Sequence, residues 1–243
     1  MKWIAVLVVV GGGCAGDLQR DQPGAADGAS AARDANPGEG FFDAAGSTPD
    51  PVDASEQQLP DEIPPVPPGV TPIDLLPRGA SWRYLDDGSD QGTAWSQRGF
   101  DSSTWLSGNA ELGYGEGDET TVVSFGDDPA NKFITTYFRR GGIQVDDPTA
   151  FVAFVLDIKV DDGAVIYVNG TELRRLRFPE GATIDYLTQA LEGTEERVYD
   201  QLVVPAALIT AGSNLLAIEV HQNDPDSSDI SFDVGLVGIP KAP

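Results

Sequence analysis

Single copies limit what this chain can catalyse. His221 is the only histidine among 243 residues, and Cys14 is the only cysteine. A serine–histidine–aspartate relay would have to pass through His221, which closes an apolar stretch, and no Gly-x-Ser-x-Gly turn presents a serine to it. His221 therefore reads as a hydrogen-bonded structural residue. A zinc site on two histidines is excluded, and Cys14 lies far from the apolar patterning. With 39 aspartates and glutamates, carboxylate pairs suited to glycoside hydrolysis arise throughout, but no spacing singles one out. The expectation is no catalytic site, with a hydrolase as the third-ranked reading.

Binding chemistry is better represented. The loop Asp224-Pro225-Asp226-Ser227-Ser228-Asp229 places the carboxylates of Asp224, Asp226 and Asp229 beside two hydroxyls, the hard oxygen donors that calcium takes. The glycine and terminal glutamate spacing of an EF-hand is lacking. The same residues also cap their own turns, so a structural calcium and plain Asx-turns are alternatives; Asp161-Asp162 and Asp127-Asp128 are lesser candidates. A sugar would need an exposed aromatic to stack on and polar side chains beside it. Trp95, Trp105 and Tyr114 stand in Gly/Ser-rich, loop-like sequence near Asn109 and Glu111, and these five are the candidate ligand-binding residues. Core packing is the alternative for the aromatics. Trp82, in the alternating Trp82-Arg83-Tyr84-Leu85, is expected in the core. Arg139 and Arg140 are expected to pair with the acidic surface.

The net charge of -24 is unevenly spread. Residues 15–70 hold 11 acidic and 2 basic side chains, and those from Thr71 onward hold 28 and 12. Both parts repel nucleic-acid phosphates and anionic lipid head groups, which argues against either as a partner. Solubility, calcium, or a neutral or cationic partner is compatible. At the start, Met1-Lys2 precedes the apolar run Trp3–Val10, then Gly11-Gly12-Gly13 and Cys14. A charged start, a short apolar core and small residues before the cut predict an export signal over 1–13, too short to span a bilayer. Residues 14–70 are rich in Ala, Asp, Gly, Pro and Ser and cannot offset the entropy of ordering, so they predict a disordered tether. Its coil dimension is on the order of 40 Å. Phe41-Phe42 is its one aromatic pair, and Ile63-Pro64-Pro65-Val66-Pro67-Pro68-Gly69 should be stiffer.

From Thr71 the pattern changes to short apolar stretches divided by Gly, Asp, Asn and Pro. In Phe151–Val160, Val152, Phe154, Leu156, Ile158 and Val160 fall on one face, and Asp157 and Lys159 fall on the other, which predicts a half-buried strand. Asp161-Asp162-Gly163 turns the chain into Ala164–Val168. Asn169-Gly170 is a type I′ hairpin signal, because both turn positions need positive φ. Glu172–Leu176 returns, and Val198–Val204, Asn214–His221 and Ile230–Ile239 follow as strands. In the last, Ile230, Phe232, Val234 and Leu236 should face inward, with Val237 and Ile239 across an irregularity at Gly235. Strands at this spacing predict an all-β antiparallel sandwich or barrel over 71–243.

Two stretches carry a resemblance. Asp161–Gly170 (DDGAVIYVNG) and Leu208–Val220 (LITAGSNLLAIEV) resemble, in this order, motifs of the galactose-binding-domain-like jelly rolls, including the sugar-binding domains of large β-glycosidases. The segment around Trp82, Trp95, Phe100-Asp101 and Trp105, with Gly113-Tyr114-Gly115, Tyr137-Phe138-Arg139 and His221 through Asp233, is similar to modules of secreted bacterial proteins with that fold. The resemblance spans most of 75–240 and implies a jelly-roll β-sandwich that is a carbohydrate-binding, adhesive or accessory module, some members carrying a structural calcium. Fold does not fix function. The cysteine after small residues resembles the lipobox of bacterial lipoproteins, although Gly11 stands where an aliphatic residue is usual. That resemblance implies a diacylglycerol on Cys14 and, with Ala15 following, the outer membrane or surface of a Gram-negative cell. The leading expectation is a non-catalytic surface lipoprotein module binding a glycan or an envelope or extracellular protein, touching membrane only through its lipid and requiring no cofactor. The alternative is a structural or accessory envelope domain with no small ligand.

Overall fold

A computed structural model describes residues 62–191 and 198–242. The export signal, Cys14, Phe41-Phe42 and the tether as far as residue 61 lie outside the described residues. The described part folds as two sheets. The strands, in chain order, are β1 (Ile73–Leu76), β2 (Ser81–Leu85), β3 (Leu106–Asn109), β4 (Leu112–Tyr114), β5 (Thr121–Val122), β6 (Thr135–Val145), β7 (Phe151–Asp161), β8 (Gly163–Val168), β9 (Thr171–Leu176), β10 (Asp200–Val204), β11 (Gly212–His221) and β12 (Ile230–Pro240).

Sheet A runs β10-β7-β12-β4-β5, with β1 also paired to β12, and sheet B runs β3-β2-β6-β11-β8-β9. Every pair is antiparallel except the two-residue ladder β4–β5. The architecture is all-β as the alternation predicts, and of the sandwich and barrel that the strand spacing left open it is the sandwich. Phe154, Leu156, Ile158 and Val160 of β7 meet Phe138, Ile166, Leu216 and Ile218 of sheet B in one buried cluster. Phe138 stacks on Phe232 with ring centroids 3.8 Å apart, and Trp82 meets Phe232 edge-on at 4.9 Å. The hairpin β8–β9 turns at Asn169 and Gly170, with φ of 54° and 88°, as its dipeptide requires.

Two expectations on inward-facing residues and one on strand register change. Val152, the second residue of β7, is 46 % exposed and lies outside the buried cluster that takes Phe154 onward. Gly235 is no irregularity: it stays in register opposite Asp157, and the shift falls between Ile239 and Pro240. Ile239 is buried, but on the outer side of sheet A with Ala153 and Val155, where Ile63 packs against them. Just after Ile63, Pro67-Pro68-Gly69-Val70 forms a turn closed by Val70 N–H to the Pro67 carbonyl, with Gly69 at φ 76°, the geometry of a type II turn.

Candidate functional site

Both outer faces carry polar and aromatic side chains, and loops cover much of each. The 86–105 loop folds over sheet B and brings Trp95 and Trp105 onto Tyr137 and Ala217, with Leu85, Phe100, Tyr167 and Tyr186 around them. Trp95 lies edge-on to Tyr137 at 4.9 Å and to Tyr167 at 5.6 Å. With 1 % and 5 % exposure, neither tryptophan offers a face to a sugar. Tyr114 is also buried, edge-on to Phe125 at 5.1 Å, and its hydroxyl accepts a 2.7 Å hydrogen bond from Gln222 Nε2. Burial, reinforced by the charges of Asp229, Asp162 and Asp161, raises its pKa. Of the expected stacking surface, Trp95 and Trp105 form a second, smaller core, and Tyr114 belongs to the main one. Loop-like composition concealed this, because glycines and serines frame the aromatics while the aromatics anchor the loop.

Asn109 is exposed and its carbonyl accepts from Thr121 Oγ1. Glu111 grips Lys159 Nζ through both oxygens, at 2.9 and 2.8 Å. Glu116 approaches the same ammonium at 3.5 Å and accepts from Ser231 Oγ at 2.7 Å. Burial pulls the Lys159 pKa down, but the hydrogen bond and charge of Glu111, with Glu116 and Asp118, outweigh it and leave it raised. Among the described residues, Glu111, Glu116 and Asp118 are the three acids whose oxygens come within 4.8 Å of one another. Lys159 already supplies their cation. Beside them, Asp233 accepts from Gly79 N–H at 2.9 Å and Tyr199 Oη at 2.6 Å.

The calcium loop does not gather its carboxylates. Asp224 Oδ1 accepts from the Asp226 N–H, while Asp224 and Asp226 are exposed. Asp229 turns inward and accepts from its neighbour Ser228 Oγ at 2.5 Å. The local hydrogen bonds that acidic turns favour hold these side chains apart, so they do not fit a calcium ion. The Asp161-Asp162 pair is also buried, where Asp162 accepts from Asn223 N–H, and Asp128 caps the Ala130 N–H. His221 is wholly buried; its Nδ1–H donates to the Thr188 carbonyl at 2.8 Å, and its Nε2 lies 3.7 Å from Glu219 Oε2.

The pocket with hydrogen-bonding capacity to offer is one that sequence reasoning passed over. Arg83 on β2 sits directly opposite Arg139 on β6, and the covering loop adds Arg98 to the same depression of about 230 Å³, with Ser102, Gly141 and Ser213 around it. Arg139 is 5 % exposed. Its terminal nitrogens donate to the carbonyls of Gln97 (3.3 and 3.2 Å) and Phe100 (3.4 Å), the Phe100 ring lies 5.1 Å from its guanidinium carbon, and its Nε–H has no partner. Burial lowers its pKa, and no carboxylate pushes the other way. Arg83 donates to the Trp105 carbonyl at 3.0 Å, and Arg98 to Thr210 Oγ1 and the Ser213 carbonyl at 3.0 and 2.6 Å. Arg139 therefore does not pair with the acidic surface. The only prior signal was the arginine dipeptide at 139–140; the convergence depends on strand register and on a loop path.

No protein-family model matches the sequence, and no curated protein matches it. Among solved structures, a β-glucuronidase of Bacteroides uniformis aligns at 16 % identity over 70 % of this chain and 18 % of its own, with a TM-score of 0.46. A glycosyl hydrolase family 2 member of Bacteroides cellulosilyticus aligns at 12 % over 68 % and 20 %, TM-score 0.46. A β-glucuronidase of an uncultured Clostridium aligns at 15 % over 74 % and 31 %, TM-score 0.46. The β-sandwich is thus similar to part of these enzymes, and the chain spans under a third of the length of each.

Proposed function

We propose that this chain is a non-catalytic binding module, exported and held at the outer surface of the cell envelope by a lipid on Cys14, and that its ligand is a carbohydrate. The arginine pocket carries this reading. Elsewhere on the two outer faces the charged side chains mostly bond one another: Lys159 with Glu111, Arg78 with Asp157 at 2.8 Å, Arg177 with Asp200 at 3.0 Å. In the pocket, three arginines bonded to uncharged oxygens line a concavity together with Ser102 and Ser213, the pairing of fixed polar groups and concavity that small-ligand sites use. The burial of His221 and its bond to the Thr188 carbonyl support the non-catalytic reading, since a general base must reach a substrate proton.

An array of neutral and charged glycans tests this with the full chain carrying Cys14→Ser. Retention on a defined subset is expected, and turnover of a chromogenic glycoside would sink the non-catalytic reading. Cys14→Ser should also abolish partition into the detergent phase; unchanged partition would remove the lipid anchor.

A second reading, an accessory envelope domain that pairs with protein, draws on exposed apolar side chains at sheet margins: Val122 at 69 %, Val198 at 61 % and Leu106 at 54 %. Unpaired edge strands are ready templates for another chain. A flat array with co-purifying envelope proteins would favour it. Neither reading requires a cofactor, and we expect calcium and chelator to give the same melting temperature.

A further inference from the structure

Basic residues are scarce here, and their partners differ by place. Arg78, Lys159, Arg175 and Arg177 each have a carboxylate within 3.0 Å. Arg83, Arg98 and Arg139 converge on one pocket, and among the described residues none has a carboxylate at ion-pair distance; their partners are carbonyls, a hydroxyl and an amide oxygen. Like charges directly opposite across an antiparallel ladder are destabilising, and Arg83 and Arg139 are such a pair. In a chain with 39 acidic and 15 basic residues, a carboxylate neighbour would be the ordinary remedy. The pocket instead keeps an unpartnered Nε–H on the buried Arg139, beside the solvent-exposed side chains of Arg83 and Arg98. A guanidinium carries five donors in a plane that match an oxyanion.

Resting on the binding-module reading, we infer that this pocket binds the single anionic group, carboxylate or sulfate, of an otherwise neutral oligosaccharide. Its volume, about 230 Å³, equals roughly eight waters at liquid density, room for one charged sugar ring. The Ser102 and Ser213 side chains at the wall suit ring hydroxyls. A polyanion is disfavoured, because the surrounding domain has 28 acidic against 12 basic residues and repels charge that extends beyond the pocket. The same field disfavours an acidic peptide. Gly141 shapes the opening: its φ is not in the left-handed region, and a Cβ there would meet nothing within 4 Å. A side chain at 141 therefore projects into free space without disturbing the fold.

Calorimetric titration of the full chain carrying Cys14→Ser tests this with matched probes. Sialyllactose against lactose is the carboxylate arm, galactose sulfate against galactose the sulfate arm, and polyglutamate the acidic-peptide arm. One charged saccharide should bind at least about tenfold tighter than its neutral partner, the scale of one charge-assisted hydrogen bond. Arg139→Gln and Gly141→Leu should each weaken it by about the same factor, with melting temperature unchanged in Gly141→Leu, while Arg175→Gln should not. Neutral partners binding equally, unchanged affinity in both pocket variants, or polyglutamate binding as tightly would overturn the inference while leaving a binding module standing. Failure of every saccharide, charged and neutral, would overturn the module reading with it.

Discussion

Trp95 and Trp105 show how a residue type can mislead when its burial is not readable. Tryptophan in a Gly/Ser-rich loop serves equally as a ligand platform or as the anchor that fastens the loop, and both rings are anchors here. Trp95→Ala should therefore cost about 3–5 kcal/mol of stability, visible as a lower denaturant midpoint, instead of a selective loss of ligand. Lys159→Ala should cost a similar amount, about 3–5 kcal/mol, because it leaves Glu111 and Glu116 facing each other without their cation. Arg83→Thr has the opposite sign: relieving the like charge opposite Arg139 should raise stability by roughly 0.5 kcal/mol while weakening anion binding. Glu111 was legible as polar and near the aromatics, but its Lys159 partner is 48 positions away and only pairing reveals it. The arginine pocket was hidden for the same reason, since nothing in the spacing of 83, 98 and 139 announces that they meet.

At the scale of elements, alternation was enough for β7 beyond Val152, for the β8–β9 hairpin, for β11 and for Ile230, Phe232, Val234 and Leu236 of β12. It failed for β3, β4 and β5, which are four, three and two residues long and contain too little alternation to distinguish a strand from a loop. It also could not assign strands to sheets. Asp161-Asp162-Gly163 was legible as a turn, yet it carries the chain from sheet A to sheet B instead of closing a hairpin. Strand order makes its own prediction. In amide hydrogen exchange, the interior strands β6, β7, β11 and β12 should be the slowest, and the margins β3, β5, β9 and β10 should exchange earlier. Slow exchange in β5 would contradict the sheet order.

For the whole molecule, an acidic surface surrounds buried and half-buried tyrosines whose titration opposes folding at high pH. Burial is the leading cause that raises Tyr84, Tyr114, Tyr137, Tyr167 and Tyr199 above the ordinary value of 10.0. The unfolded chain then releases these protons first, so stability is full below pH 10 and falls as pH rises beyond it. The best-buried, Tyr114 and Tyr137, should each contribute up to about 1.4 kcal/mol per pH unit. The raised Lys159 acts in the same direction. Tyrosinate absorbance from these five should therefore rise together with loss of the near-ultraviolet signal, and their ionisation in the folded protein would contradict the burial. The same overall acidity makes the three arginines of the pocket on sheet B, none with a carboxylate at ion-pair distance among the described residues, the informative exception on which the functional account rests. Its most direct test is a nuclear magnetic resonance titration that follows the arginine Nε–H signals as a charged oligosaccharide is added. The Arg83, Arg98 and Arg139 signals should shift together and saturate at one concentration. Shifts confined to the Glu111–Lys159 face or to the edge strands, with these three signals unmoved, would contradict it.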